Sequence, residues 1–423
     1  MFTQYFTAKM RRLTFILSAL LSIHSLSGQT TLEQYCESVI EYSTTLQRAS
    51  LDVESAEWEL RRARRGYLPE VGINSLASID FARHSISRNW GWAATLEARQ
   101  RLYDGGSRRA EVQGDELEVE ILQLAHAMAL REIRLEAKEA YWRLSHATEY
   151  VEAMRHYKEI IERLWEVTRR RYDEGYSAKG DLLQIESRLS DAEYQLSSAT
   201  EARKLALHCF NSLCNNTIET EATLGETILS TPPIPPRLKG EELIATHPEH
   251  LIAELRAGQG RWQVRGVQSR YMPKIDIRAY GTLQPDARAT NTNRGELTAG
   301  ALISLSTTIF HFRERHAAVQ SAKASQLGLE VEIENVRDMI TLLEEDAWTR
   351  ILATWERVES QTKSLAIVSE NLEISTYAYN EGIASILDVM QAQISWLQTY
   401  KNYLAAHYDY HVARAEYQYV TGI

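Results

Sequence analysis

Hydrophobic positions along this chain follow two periods. Leu182, Ile185, Leu189, Ala192, Leu196 and Ala199 alternate steps of three and four, while Val389, Trp396, Tyr403, Tyr410 and Tyr417 return every seven residues. Such stripes predict helices packed along a coiled seam, with the stripe side chains in the core. Between Gly106 and Glu174 there is no proline and Gly114 is the single glycine, and Ala, Leu, Glu and Arg dominate. That composition predicts a helix of about 65 residues, about 100 Å long at the usual rise. No globular core is that long.

After Pro69 the period changes to two. Val71, Ile73, Ala77, Ile79 and Phe81 alternate with Glu70, Asn74, Ser78 and Asp80, and the next segment opposes Trp90, Trp92, Ala94, Leu96 and Ala98 to Thr95, Glu97, Arg99 and Arg101. After Pro273 the device returns. Ile275, Ile277, Ala279 and Leu283 oppose Lys274, Asp276, Arg278 and Thr282, and Leu297, Ala299, Ala301, Ile303 and Leu305 oppose Glu296, Thr298 and Ser304. Four strands of about ten residues each match one tilted membrane crossing. A soluble sheet packed on helices would carry the same alternation.

The chain also resembles itself. Gly66-Tyr67-Leu68-Pro69 returns as Arg270-Tyr271-Met272-Pro273, and Tyr172-Asp173-Glu174-Gly175-Tyr176-Ser177 returns as Tyr379-Asn380-Glu381-Gly382-Ile383-Ala384. Asp181 and Gln184 then match Asp388 and Gln391. Two units are expected, 29–230 with a hairpin at 67–103 and 241–423 with a hairpin at 271–310, each reading helix, hairpin, long helix, helix. A proline-rich linker at 231–240 joins them.

Composition narrows the setting. The 423 residues are 44% hydrophobic and 25% charged, too apolar for a disordered chain, and a net charge of −10 without a basic cluster argues against nucleic acid as a partner. Lys9, Arg11 and Arg12 precede the apolar run from Leu13 to Leu21, and Ser25, Ser27 and Gly28 follow, so 1–28 reads as a secretory signal peptide. Three cysteines make no disulfide framework; Cys209 and Cys214 could pair, but the simpler expectation is two buried small residues at a helix end.

Four strands cannot close a barrel in lipid, where an open edge leaves backbone groups unsatisfied. If the strands cross a membrane, several chains must share one barrel. Three chains would supply twelve strands around a lumen lined by the charged faces, continued by the long helices as a tube.

These features together resemble the TolC family of outer-membrane efflux proteins. The residues that carry the likeness are the signal peptide, the duplication, Tyr67-Leu68-Pro69 before a hairpin, Leu102-Tyr103-Asp104-Gly105-Gly106 at the hairpin-to-helix joint, and a Tyr-x-x-Gly turn followed six residues later by Asp. The resemblance implies a mainly α fold with a small β part: a long α-helical coiled-coil barrel in the periplasm and four transmembrane strands per chain forming a twelve-stranded barrel in a homotrimer. It implies no catalysis and no cofactor. A periplasmic adaptor and an inner-membrane transporter would dock at the tip, and the outer membrane lipid would surround the barrel.

By the same resemblance, Asp181 and Asp388 ring the constriction, with Gln184, Gln391 and Tyr379 beside them, and Tyr379 has Asp181 as its candidate partner. A basic residue found in some members two positions after the second turn glycine is Ala384 here, and the second counterpart of Gly105-Gly106 is Phe312-Arg313. The alternative for Asp181, directly after Gly180, is a helix N-cap alone, a role that fits Asp388 less well because it sits deeper in its helix. Adaptor contact is expected at Gly175, Leu182 and Leu183 and at Gly382, Leu387 and Val389, where both turns break helical propensity and Leu182 and Val389 stand as exposed apolar residues.

Other readings find less support. His407 and His411 lie four apart on a helix, but without a third ligand they read as a solvated face. His247-Pro248-Glu249-His250 reads as a helix start, and Gly258-Gln259-Gly260 lacks the preceding strand of a dinucleotide site. The serious rival is a soluble periplasmic coiled-coil scaffold or adaptor, for which one long hairpin would be expected rather than two hairpin-and-rod units.

Overall fold

The computed structural model describes residues 29–80, 89–285 and 295–422; the expected signal peptide and Phe81 lie outside them. The elements in chain order are α1 (Leu32–Tyr42), α2 (Thr44–Arg65), β1 (Glu70–Asp80), β2 (Asn89–Tyr103), α3 (Ser107–Asp173), α4 (Lys179–Leu213), α5 (Glu241–Thr246), α6 (Pro248–Ser269), β3 (Lys274–Pro285), β4 (Gly295–Ser306), α7 (Glu314–Asn380) and α8 (Ile386–Thr421). The helix expected before each hairpin is a pair, broken at Ser43 and at His247, both of which cap the next helix with a side-chain acceptor.

Long helices α3 and α7 each run 67 residues. Each ends in a Schellman motif around a left-handed glycine: Tyr176 N donates to Arg171 O at 2.7 Å after Gly175, and Ile383 N to Ala378 O at 2.8 Å after Gly382. Each then reverses into the shorter α4 or α8 and packs back along it.

The sheet is an antiparallel meander in the order β1-β2-β3-β4. Its register puts Glu97 beside Asn74 (2.9 Å), Thr95 beside Thr282 (3.0 Å) and Arg101 beside Asp276 (3.0 Å), so one face is polar and cross-linked. The other face carries Val71, Ile73, Leu297, Ile303 and Leu305, all exposed. Among the described residues no helix covers it. Helices near the sheet follow the same lateral order, α2-α3-α6-α7, and at the far end the order is α4-α3-α8-α7.

The core follows the predicted stripes. Ile185, Ala192 and Ala199 are buried, as are Val389, Trp396, Tyr410 and Tyr417. Val389 is therefore not the exposed apolar residue expected at the tip; the heptad stripe draws it inward. His407 and His411 also overturn the solvated-face expectation, because both are buried. His411 stacks on Trp142 with ring centroids 3.8 Å apart and its Nε2 meets Ile228 O at 2.9 Å, while His407 Nδ1 meets Thr231 Oγ1 at 2.9 Å. Tyr410 donating to Pro232 O (2.7 Å) and Tyr417 accepting from Leu238 N (2.8 Å) satisfy a linker backbone that makes no sheet or helix bonds of its own, and His411 does the same for Ile228 just before it. Cys214 is buried, whereas Cys209 is exposed rather than buried, and both thiols are free.

Candidate tunnel tip

The two reversals, 174–178 and 381–385, meet at the end of the molecule farthest from the sheet. They border a cleft of about 560 Å³ whose lining includes Arg171, Asp181, Tyr379, Gly382 and Ser385. Gly175 and Gly382 are both exposed at the apex.

The two aspartates hold equivalent places, and neither is an N-cap. Asp181 is the third residue of α4, and its Oδ2 accepts from Ser177 Oγ at 3.0 Å and Ala178 N at 3.3 Å. Asp388 is the third residue of α8 in a reciprocal capping box: its Oδ2 accepts from Ser385 Oγ (2.7 Å) and Ser385 N (3.0 Å), and its own N–H donates to Ser385 Oγ (3.3 Å). Asp388 thus fits a capping role as well as Asp181 does, contrary to the sequence expectation. The Ser385 hydroxyl and N–H hold the Asp388 carboxyl below the usual carboxylate range. Asp388, Gln184 and Gln391 are exposed, and Asp181 is half-buried.

Tyr379 is buried and has a different partner from the one expected. Its hydroxyl lies 3.0 Å from Thr168 Oγ1, which already donates to Leu164 O at 2.9 Å, so the phenol is the donor. Asp181 meanwhile bonds only its own turn among the described residues. Arg171 spreads over the Tyr379 ring at 4.7 Å and donates from Nη2 to Asn380 O at 2.8 Å, closing an open carbonyl at the end of α7. Sequence reasoning missed Thr168 and Arg171, because both face α7 across the helix pair and no local pattern announces that. A cationic residue is therefore present at the tip despite Ala384, supplied by α3.

Of the apolar tip residues, Leu183 and Leu387 are exposed and Leu182 is half-buried, while Tyr176 and Ile383 in the same two turns add exposed surface. Between α3 and α7 a groove of about 760 Å³ runs toward the tip, and its lining includes Gln393, whose residue is buried and whose amide nitrogen and oxygen have no hydrogen-bond partner among the described residues. Among those residues no group of three or more His, Cys, Asp or Glu side chains could hold a metal ion, and no helix is long and apolar enough to cross a membrane.

Comparison with known proteins agrees with this geometry. The chain is 20% identical over 404 residues to outer membrane protein TolC of Escherichia coli (strain K12), covering 91% of this chain and 81% of that protein. Its fold is similar to that of the outer membrane protein VceC of Vibrio cholerae, with a TM-score of 0.78 at 17% identity over 92% of this chain and 96% of that one. The open-state Neisseria gonorrhoeae MtrE outer membrane channel gives a TM-score of 0.80 at 16% identity, covering 92% and 88%. The family model described as outer membrane efflux protein matches residues 36–213 and 240–422. The chain belongs to that outer membrane efflux protein family, as a non-enzymatic channel of the outer membrane whose helical part lies in the periplasm.

Proposed function

We propose that three copies of this chain form a channel-tunnel, a passive conduit that receives substrate from an inner-membrane transporter through a periplasmic adaptor. Residues 29–230 and 241–423 act in it as two copies of one building unit. The observation that carries this reading is the sheet: its apolar face is bare, and β1 and β4 are its two free edges. An apolar face of that extent is unfavourable in water, and a free edge is unfavourable in lipid at several kcal/mol for each unsatisfied backbone group. Lipid on the face and a second copy at each edge relieve both costs together. The lateral order α2-α3-α6-α7 supports the same closure, since its free edges are α2, which leads into β1, and α7, which follows β4. Twelve strands then enclose a lumen lined by Glu97, Arg99, Arg101, Asp276 and Arg278.

At the tip, three copies each of Asp181 and Asp388 form the constriction, with Gln184 and Gln391 one helical turn further in. Tyr379, through Thr168 and with Arg171 against its ring, holds the two helix pairs together in the closed state. Leu183 and Leu387, with Gly175 and Gly382 at the apex and Leu182 beside them, form the adaptor contact; Val389 supports it from within.

Mass measurement of the detergent-extracted protein under native conditions tests the assembly: three copies are expected, and a stable single copy contradicts it. The soluble scaffold reading predicts release with the periplasmic fraction without detergent, which the bare apolar sheet face argues against.

A further inference from the structure

The two turns that lead from a hairpin into a long helix occupy matching places, yet differ in chemistry. Ahead of α3, Gly105 and Gly106 take left-handed backbone, φ 71° and 92°; ahead of α7 the same turn is made by Phe312 and Arg313 at φ 43° and 66°. Glycine enters this region freely and an aromatic residue does so under strain, so a phenylalanine held there points to a use for its side chain.

Inside the chain, Gly105 lies directly on the joint that precedes β3. A Cβ at Gly105 would run into the Cβ of Met272 and stand 2.9 Å from the carbonyl oxygen of Ser269. The counterpart of Met272 is Leu68, each being the residue before the proline that opens a hairpin. Met272, covered by Gly105, is 37% exposed, whereas Leu68 is 63% exposed and Phe312 86%. Phe310 stands edge to face with Phe312, centroids 4.5 Å apart, and enlarges the bare cluster. Leu68 leads into β1 and Phe312 follows β4, the two free edges, and both lie at the helical end of the sheet.

We propose that Phe312 of one chain covers Leu68 of the next, repeating at every subunit seam the contact that Gly105 makes with Met272 inside the chain. The partner is a second copy of this chain, and the inference rests on the trimeric reading. It gives the seam a form distinct from the internal joint: where the joint has no room for a Cβ, the seam is wide enough for an aromatic ring. Six alternating joints, three narrow and three wide, result.

Cysteine cross-linking of the intact protein tests this. Leu68→Cys with Phe312→Cys, in a Cys209→Ser background that removes the exposed thiol, should give dimer and trimer bands on a non-reducing denaturing gel after mild oxidation. The bands should revert with reductant and be absent from either single-cysteine variant. A native trimer without the bands overturns the seam contact and leaves the trimeric reading standing; an unmodified chain that forms no trimer overturns both. Phe312→Gly provides a second arm, because it relieves the left-handed strain while removing the cover. The temperature at which trimer separates into monomer should fall. An unchanged or higher temperature means that the aromatic cluster faces lipid, and the proposal fails.

Discussion

Tyr379 donates its phenol proton to Thr168 across 3.0 Å, joining the last turn of α7 to α3 in a buried position. Replacing Tyr379 by Phe removes that bond and leaves Thr168 bonded to Leu164. One such bond is worth about 1 kcal/mol, a roughly fivefold change in an equilibrium between closed and open tips. Single-channel records of Tyr379→Phe should therefore show longer open dwell times than the parent channel. Identical dwell times would mean that this contact takes no part in closure.

Charge at the constriction is tested by Asp181→Asn with Asp388→Asn, which preserves size and much of the capping geometry. In the proposed trimer six carboxylates surround a narrow pore and favour cations, so reversal potentials in a salt gradient should show cation preference in the parent and a marked loss of it in the double variant. Because Ser385 holds the Asp388 carboxyl low, its charge persists as pH falls through the usual carboxylate range, and part of the preference should survive to mildly acidic pH. Equal selectivity in parent and variant would leave both residues as helix-start ligands only.

The tip leucines separate contact from core. Leu183→Glu with Leu387→Glu alters exposed positions and should abolish adaptor co-purification and export while the trimer still assembles. Val389→Glu instead buries a carboxylate without a partner and should cost several kcal/mol of stability, seen as lost helical signal and poor trimer yield. A well-folded Val389→Glu protein would contradict its place in the core.

Much of this was legible in the sequence, and the failures have physical causes. The absence of breakers between Gly106 and Glu174 announced α3 nearly to the residue, and the step-of-seven stripe already contained Val389. Assigning Val389 to the surface ignored that stripe in favour of its nearness to a polar turn, and packing prevailed. Asp388 stands only three residues past its cap Ser385, and Ser385-Ile386-Leu387-Asp388 carries the capping-box spacing in plain view. His411 was not readable in the same way. Its partner, the carbonyl of Ile228, lies in the segment just before the linker, which only the fold brings to α8; likewise only the fold brings Thr168 to Tyr379.

That histidine gives the fold a pH dependence. Burial pushes His411 down to about 4 against the pull of the Ile228 carbonyl, and lowers His407 as well. Burial and Arg131 push His247 down to about 4. The neutral imidazole is thus the native form. Stability from His411 is complete above the unfolded value near 6.5 and declines as pH falls toward about 4, a loss of about 3 kcal/mol. Thermal melts followed by helical circular dichroism should show the midpoint falling between pH 7 and pH 4.5, with a shallower fall in His411→Gln. An equal slope in the two proteins would show that His411 is not the titrating group.

In the proposed assembly this chain makes a water-filled path through the outer membrane and needs no energy source of its own. Purified protein added to one side of a planar lipid bilayer, with salt and no nucleotide, tests it most directly. Discrete, long-lived current steps of uniform size, each the insertion of one trimer, are the predicted result. A trimer that incorporates into the bilayer yet passes no current, including with Tyr379→Phe to loosen the tip, would contradict it.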